Sequence, residues 1–165
     1  MMMEKVKTRE ELKKIVADAR RAGKRVVFAN GCFDMLHGGH ISYLQSAKGK
    51  GDVLIVGVNS DVSTKKIKGE KRPIYPEEER LEILAAIGCI DYLILFDEES
   101  CDHLLRELRP DVHAKGTDYR RETVPERATS HELGIEIFIA GAPKENATKD
   151  IIRLILERYG KEPEG

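Results

Sequence analysis

Two histidines, His37 and His40, stand three positions apart at the end of Asn30-Gly31-Cys32-Phe33-Asp34-Met35-Leu36-His37-Gly38-Gly39-His40. The stretch follows the apolar run Val26-Val27-Phe28-Ala29, which reads as a buried parallel strand. It precedes Ile41-Ser42-Tyr43-Leu44-Gln45-Ser46-Ala47, which reads as a helix. Both imidazoles therefore fall about one helical turn apart, where a strand hands over to a helix N-terminus. Unpaired backbone N–H groups and the positive end of the helix dipole make that place an anion site. Glycines let the backbone approach a ligand closely, so the turn suits a polyphosphate. Positioned donors there could stabilise charge on phosphoryl oxygens without a protein nucleophile. Two plainer readings compete: ordinary helix-start histidines, or half of a zinc site. Zinc needs a third and usually a fourth ligand, and only Cys32 and Asp34 lie near in sequence.

The segment Thr64-Lys65-Lys66-Ile67-Lys68-Gly69-Glu70-Lys71-Arg72 holds five cations and one acid. It reads either as a clamp on the outer phosphates or as a solvated charge run. Arg80, on the helix that follows, could reach the same site or pair with a surface acid such as Glu77. Asp34 and Asp118 are acids at strand ends; each could orient a hydroxyl or hold magnesium through water, and Asp34 could equally cap its turn. Lys115 is a cation at a strand end. Asn146-Ala147-Thr148 precedes a helix, where such residues cap the N-terminus or contact phosphate. Cys32 has no adjacent base, so its thiol reads as structural.

The elements that must position these residues alternate. A capping box, Thr8-Arg9-Glu10-Glu11, opens a first helix that ends near Gly23, and this reads as an N-terminal packing addition over residues 1–24. Strands are expected at about Arg25 to Asn30, Val53 to Asn59, Tyr92 to Phe96, Asp111 to Ala114 and Ile135 to Ile139. Helices are expected from near His40, from Pro76-Glu77, from Ser100 to Leu108, ending at Leu133-Gly134, and from Thr148 to about Tyr159. Ser60 to Tyr75 reads as a polar loop, and residues 160–165 as a frayed tail. The alternation predicts an α/β fold: one domain over residues 1–165, with a Rossmann-like, doubly wound, parallel five-stranded sheet. Ligands bind such sheets beyond the carboxyl ends of the strands. Asn30 to His40, Asn59-Ser60-Asp61, Lys115-Gly116-Thr117-Asp118-Tyr119 and Lys144 to Thr148 all fall at such ends. The first turn lacks GxGxxG and GxxxxGK[ST], which excludes a dinucleotide oxidoreductase and a P-loop NTPase.

Composition narrows the class further. A net charge of −1 argues against bulk nucleic-acid or membrane binding. No apolar run approaches a membrane span, and no signal peptide is expected from the residues after Met1. Three cysteines without paired spacing fit a reduced cytoplasmic protein.

The histidine turn resembles the HxGH signature of the nucleotidylyltransferase superfamily, whose members move a nucleoside monophosphate from an NTP to a phosphate or similar acceptor. The stretches VVFANGCFDMLHGGHISYLQSAKGKGDVLIVGVNSD, KKIKGEKRPIYPEEERLEILAAIGCIDYLILFDE and LRPDVHAKGTDYR resemble the heptose 1-phosphate nucleotidylyltransferases. The likeness runs from about Val26 to Ile155 and is nearest to the carboxyl-terminal adenylyltransferase half of the two-domain heptose enzyme, which would here stand alone. It implies transfer of AMP from ATP to a heptose 1-phosphate. Mg²⁺ would ride on the phosphates without a direct protein ligand, and a homodimer is implied. It assigns His37, His40 and Lys68 to catalysis. It assigns Asn30, Gly31, Cys32, Phe33, Gly39, Arg72, Arg80, Lys115, Gly116, Asp118 and Thr148 to the nucleotide. Asp34, Asn59, Asp61 and Tyr119 go to the acceptor. Sister families transfer CMP to glycerol 3-phosphate or AMP to FMN; a nucleotide-binding module without turnover is the alternative from another class. Two departures stand out: Gly38 replaces a usual proline or bulky residue, and Asn146-Ala147-Thr148 replaces a usual Ser-Thr-Thr run.

Overall fold

A computed structural model describes residues 2–143 and 145–160. The five expected strands are β1 (Val26–Gly31), β2 (Val53–Asn59), β3 (Tyr92–Phe96), β4 (Val112–Gly116) and β5 (Glu136–Ala140). They pair in the order β3-β2-β1-β4-β5 with every neighbour parallel. The winding direction reverses between β1 and β4, which creates a switch point beyond their carboxyl ends.

Both sheet faces are covered, which is why the central strands are nearly continuous apolar runs. On one face Val27, Ala29, Leu54, Val56 and Leu93 pack with α2 (Gly38–Lys48) and α4 (Glu77–Ala85) through Leu44, Ala47, Leu81 and Leu84. On the other, Val26, Phe28, Ile55, Ile94 and Phe96 meet α1 (Arg9–Arg21) and α5 (Asp102–Leu108). Residue α1 positions Leu12, Val16 and Ala19 are buried in that second layer, so this helix is part of the core. Its capping box is formed: Thr8 Oγ1 accepts from the Glu11 N–H at 3.2 Å, and Glu11 Oε2 accepts from the Thr8 N–H at 2.7 Å. The remaining helices are α3 (Asp61–Lys68), α6 (Arg127–Leu133) and α7 (Thr148–Tyr159).

The expected polar loop from Ser60 to Tyr75 contains α3. Its buried positions are Ser63 and Thr64, while Val62 and Ile67 are exposed. Apolar periodicity, the usual sign of a helix, is therefore absent. The readable sign is the N-cap, where Ser60 Oγ accepts from the Ser63 N–H at 3.2 Å. Helix α2 begins at Gly38, ahead of the expected start near His40. Pro76 is the N-cap of α4 and precedes its first turn. Cys101 takes the α5 N-cap position, and Ser100 Oγ still accepts from the Asp102 N–H at 3.1 Å. The tail expected to fray lies outside the described residues, apart from Gly160, and so does Lys144. No helix among the described residues is long and apolar enough to cross a membrane.

Candidate active site

The β1–α2 turn is built from backbone that most side chains avoid. Phe33 and Met35 have φ of 50° and 45°, a left-handed conformation that persists only where surrounding contacts hold it. Phe33 is buried and packs on His40, with ring centroids 5.6 Å apart. His37 is the N-cap of α2 and His40 its third residue. His37 Nδ1 accepts from the Gly39 N–H at 3.1 Å, and His40 Nδ1 accepts from the His37 N–H at 3.3 Å. The two imidazoles thus reproduce a capping box, with ring centroids 3.9 Å apart. An Nδ1 that accepts carries no proton, so each neutral ring is the Nε2–H tautomer. The cap therefore fixes both the orientation and the protonation pattern of the pair. The Gly39 amide, expected on the nucleotide, is used in this cap.

Asp34, expected on the acceptor, forms an internal clamp. Its carboxylate accepts from Arg72 Nε at 2.7 Å, the Ile74 N–H at 2.8 Å and the Tyr75 N–H at 3.0 Å. Burial pushes this carboxyl up, but the Tyr75 and Ile74 amides and the Arg72 guanidinium outweigh it and hold its pKa below the ordinary range. The clamp pins the segment after α3 to the histidine turn and places Arg72 there.

Arg80, expected on phosphate, is 1% exposed. It donates to the carbonyls of Tyr75 (3.0 Å), Cys32 (2.5 Å) and Asn59 (2.8 Å) and to Asp61 Oδ1 (2.8 Å). Arg80 thereby ties the ends of β1 and β2 together. Asn59 and Asp61, expected on the acceptor, belong to the same tie. Asn59 Nδ2 donates to Ser63 Oγ at 2.8 Å, and the Asp61 N–H donates to Glu77 Oε2 at 2.7 Å. Lys68 lies in the exposed last turn of α3. Sequence reading missed the Arg80 links to Asp61, Asn59 and Cys32 because pairing across 19, 21 and 48 positions leaves no local pattern.

At the end of β4, Lys115 is 6% exposed. Its ammonium lies 3.9 Å from Glu126 Oε2 and 4.6 Å from the centre of the Tyr119 ring. Gly116 ends the strand, and Asp118 is exposed in the loop beyond. The β5–α7 connection crosses the middle of α2 at Gly141, whose φ is +92°. A Cβ there would lie 3.0 Å from the Tyr43 Cα. This crossing delivers Thr148, whose hydroxyl donates to the Asp34 carbonyl at 2.9 Å. Asn146, expected to cap α7, lies outside the cap: Ala147 is the N-cap, and its N–H donates to Asp150 Oδ2 at 2.9 Å. The acid at the third helical position supplies the capping bond, so none is required of Asn146.

Behind the rim lies a buried set that the sequence did not suggest: Cys101, His113 and Glu126, with one potential ligand atom from each within 4.8 Å of the others. A fully buried parallel strand leaves no solvent for a polar side chain, so His113 within β4 was a readable sign of an internal partner. Burial, aided by the Lys115 charge, pushes the His113 pKa down to about 3. Burial and the Glu126 carboxylate push the Cys101 thiol well up, so it stays protonated and unreactive.

The acid response follows from His113 and Asp34. An unfolded His113 takes up a proton near pH 6.5, whereas the folded one stays neutral to about pH 3. The unfolded state therefore binds more protons in that window, and stability falls as pH drops through it, by at most about 1.4 kcal/mol per pH unit. Asp34 adds in the same direction: its stabilisation is present above its unfolded pKa and is lost as pH falls through the lowered folded value. Urea midpoints are expected to fall from pH 6.5 towards pH 4, less steeply for His113→Gln between pH 6.5 and 4.5. An equally steep fall in both proteins would contradict a buried neutral imidazole.

Residues 28–154 match the family described as cytidylyltransferase-like. The bifunctional protein HldE of Geobacter sulfurreducens is 46% identical over 158 residues, covering 96% of this chain and 32% of that protein. HldE of Syntrophotalea carbinolica is 45% identical over 155 residues, covering 94% and 32%. The chain thus spans about a third of the length of these curated relatives. A lipopolysaccharide core biosynthesis protein from Thermoplasma volcanium superposes with a TM-score of 0.63 at 31% identity, covering 74% of this chain and 100% of that one. A pantoate-beta-alanine ligase from Francisella tularensis shares the fold, with a TM-score of 0.62 at 15% identity over 87% of this chain and 68% of that one. With its strand order, its histidine turn and a match over most of its length, the chain belongs to the cytidylyltransferase-like family and is a nucleotidyltransferase.

Proposed function

We propose that this chain transfers AMP from ATP to D-glycero-D-manno-heptose 1-phosphate, releasing pyrophosphate and forming ADP-heptose. The single observation that carries the reading is the imidazole pair at the α2 N-terminus, each ring held as its Nε2–H tautomer by a backbone donor. The heptose acceptor is supported by the resemblance of the three quoted stretches and by relatives named HldE.

An oxygen of the acceptor phosphate attacks the α-phosphorus of ATP. The bond from that phosphorus to the bridging oxygen breaks, and pyrophosphate leaves with the electron pair. Nε2–H groups of His37 and His40 donate to the phosphoryl oxygens as charge gathers on them. Lys68, Arg72 and Lys115 offset the charge of the triphosphate, and the turn from Asn30 to Phe33 lies against the nucleotide. Asp118 and Tyr119, beyond β4, edge the same crevice. Imidazole, ammonium and amide donors fit phosphate oxygens, while the carboxylates of Asp34 and Asp61 are tied to arginines. Magnesium carried by the triphosphate would draw charge from the phosphate oxygens, and these donor side chains would meet the phosphates and not the ion. The reaction takes place in the cytoplasm, in keeping with three free cysteines.

Donor choice tests this reading. With Mg²⁺ and heptose 1-phosphate, pyrophosphate release is expected from ATP at a rate at least ~10-fold above CTP, GTP or UTP, about 1.4 kcal/mol of discrimination. Preference for CTP would move the chain to a cytidylyltransferase.

A further inference from the structure

We propose that His113 is a positioning residue for the nucleotide site: its Nε2–H holds the Asn30 side-chain oxygen and so presents the Asn30 amide NH₂ to bound ATP. The inference rests on the nucleotidyl-transfer reading and adds to it a residue behind the site.

His113 pairs with Phe28 across β4 and β1. Phe28 and Asn30, two positions apart on one strand, share a face, and the His113 ring lies against both. Its centroid is 6.0 Å from that of Phe28, and its Nε2 is 2.8 Å from Asn30 Oδ1. His113 Nδ1 has no hydrogen-bond partner. A bare ring nitrogen is tolerated better as an acceptor than as a buried N–H, so the proton sits on Nε2 and is donated to Oδ1. That bond fixes the amide plane of Asn30, which is half-buried at the switch point. A buried imidazole with one unsatisfied nitrogen is a poor packing residue; what histidine supplies at this position is the donor.

A metal reading of Cys101, His113 and Glu126 fits less well. The Lys115 ammonium already faces Glu126 Oε2 at 3.9 Å and would oppose a cation there. Asn30 Oδ1 already faces His113 Nε2, with Cys101 Sγ farther off at 3.8 Å. Lys115 already places a cation beside Glu126, and the imidazole and thiol are held neutral by burial.

His113→Gln places an amide N–H close to the Nε2 position, whereas His113→Leu keeps bulk without a donor. Affinity for ATP–Mg²⁺ by calorimetry, without acceptor, is expected to fall about 10-fold in His113→Leu, the fold-change of one lost hydrogen bond. His113→Gln is expected to stay within ~3-fold of wild type. KM for ATP should rise with the dissociation constant while kcat changes less. In an Asn30→Ala background His113→Leu should cost nothing further, since its effect runs through Asn30. If leucine does not fold, His113→Met takes its place in the comparison. Wild-type ATP affinity in the donor-less variant, or equal losses in the glutamine and leucine variants, would overturn the proposal. So would one equivalent of zinc lost on Cys101→Val. A wild-type protein that binds ATP but leaves heptose 1-phosphate untouched defeats the acceptor reading alone, because the affinity comparison uses no acceptor. Absence of ATP binding to wild type overturns both.

Discussion

His40→Ala is expected to lower turnover by roughly 10²–10³-fold, equivalent to about 2.7–4 kcal/mol of transition-state stabilisation, the effect of removing one well-placed donor. His40 is the third residue of α2, and its Nδ1 takes the His37 N–H. The substitution therefore also removes a capping acceptor, a loss of about 1 kcal/mol of stability. The chain should remain folded, because His40 is half-buried at the rim and outside both hydrophobic layers. His40→Asn separates the two effects. Asparagine can accept from the His37 N–H but puts no donor where Nε2 stood, so it should recover stability and remain as slow as alanine. Steady-state kinetics with thermal melts on both variants check this. Near wild-type turnover in folded His40→Ala would remove the histidines from the chemistry, and zinc stoichiometric with protein would favour the ligand reading instead.

Arg80→Met is expected to destabilise the chain by about 3–5 kcal/mol, the range for removing one partner of a buried charged network. The guanidinium is the common donor to Tyr75, Cys32, Asn59 and Asp61. Without it, the Asn59 carbonyl, the Asp61 carboxylate and the turn at Cys32 lose a shared donor at once. Arg80→Lys should recover little, since an ammonium cannot span a fork of four acceptors. Urea unfolding at neutral pH measures the loss. If Arg80→Met keeps its urea midpoint but loses ATP affinity, the arginine contacts phosphate as the sequence resemblance implied, and the tie is secondary.

Arg80 also illustrates what was legible. The strands from Val53 to Asn59 and from Tyr92 to Phe96 were readable to the residue, because runs of buried β-branched and aromatic residues between polar breaks have few other uses. The Thr8 capping box was equally direct. Helix α3 was hidden because its inward side is Ser63 and Thr64, which carry no apolar period. Histidine spacing placed the pair at the helix start, but not the reciprocal Nδ1 bonds that set their tautomers. The sequence also shows Asp34, Arg72 and Arg80 as charges near a phosphate motif. It does not show that much of their hydrogen bonding is directed inward, since that follows from long-range pairing. Their effect on the site is to hold the turn in which Phe33 and Met35 keep left-handed backbone.

The most direct measurement is product analysis of the purified chain with ATP, Mg²⁺ and D-glycero-β-D-manno-heptose 1-phosphate. Mass spectrometry and phosphorus NMR would follow nucleotide sugar and pyrophosphate together. ADP-heptose and pyrophosphate should appear in equal amounts, with no free AMP, and both should be slowed to the same extent by His40→Ala. Pyrophosphate without nucleotide sugar, or transfer only to glycerol 3-phosphate or FMN, would contradict heptose adenylylation by this site.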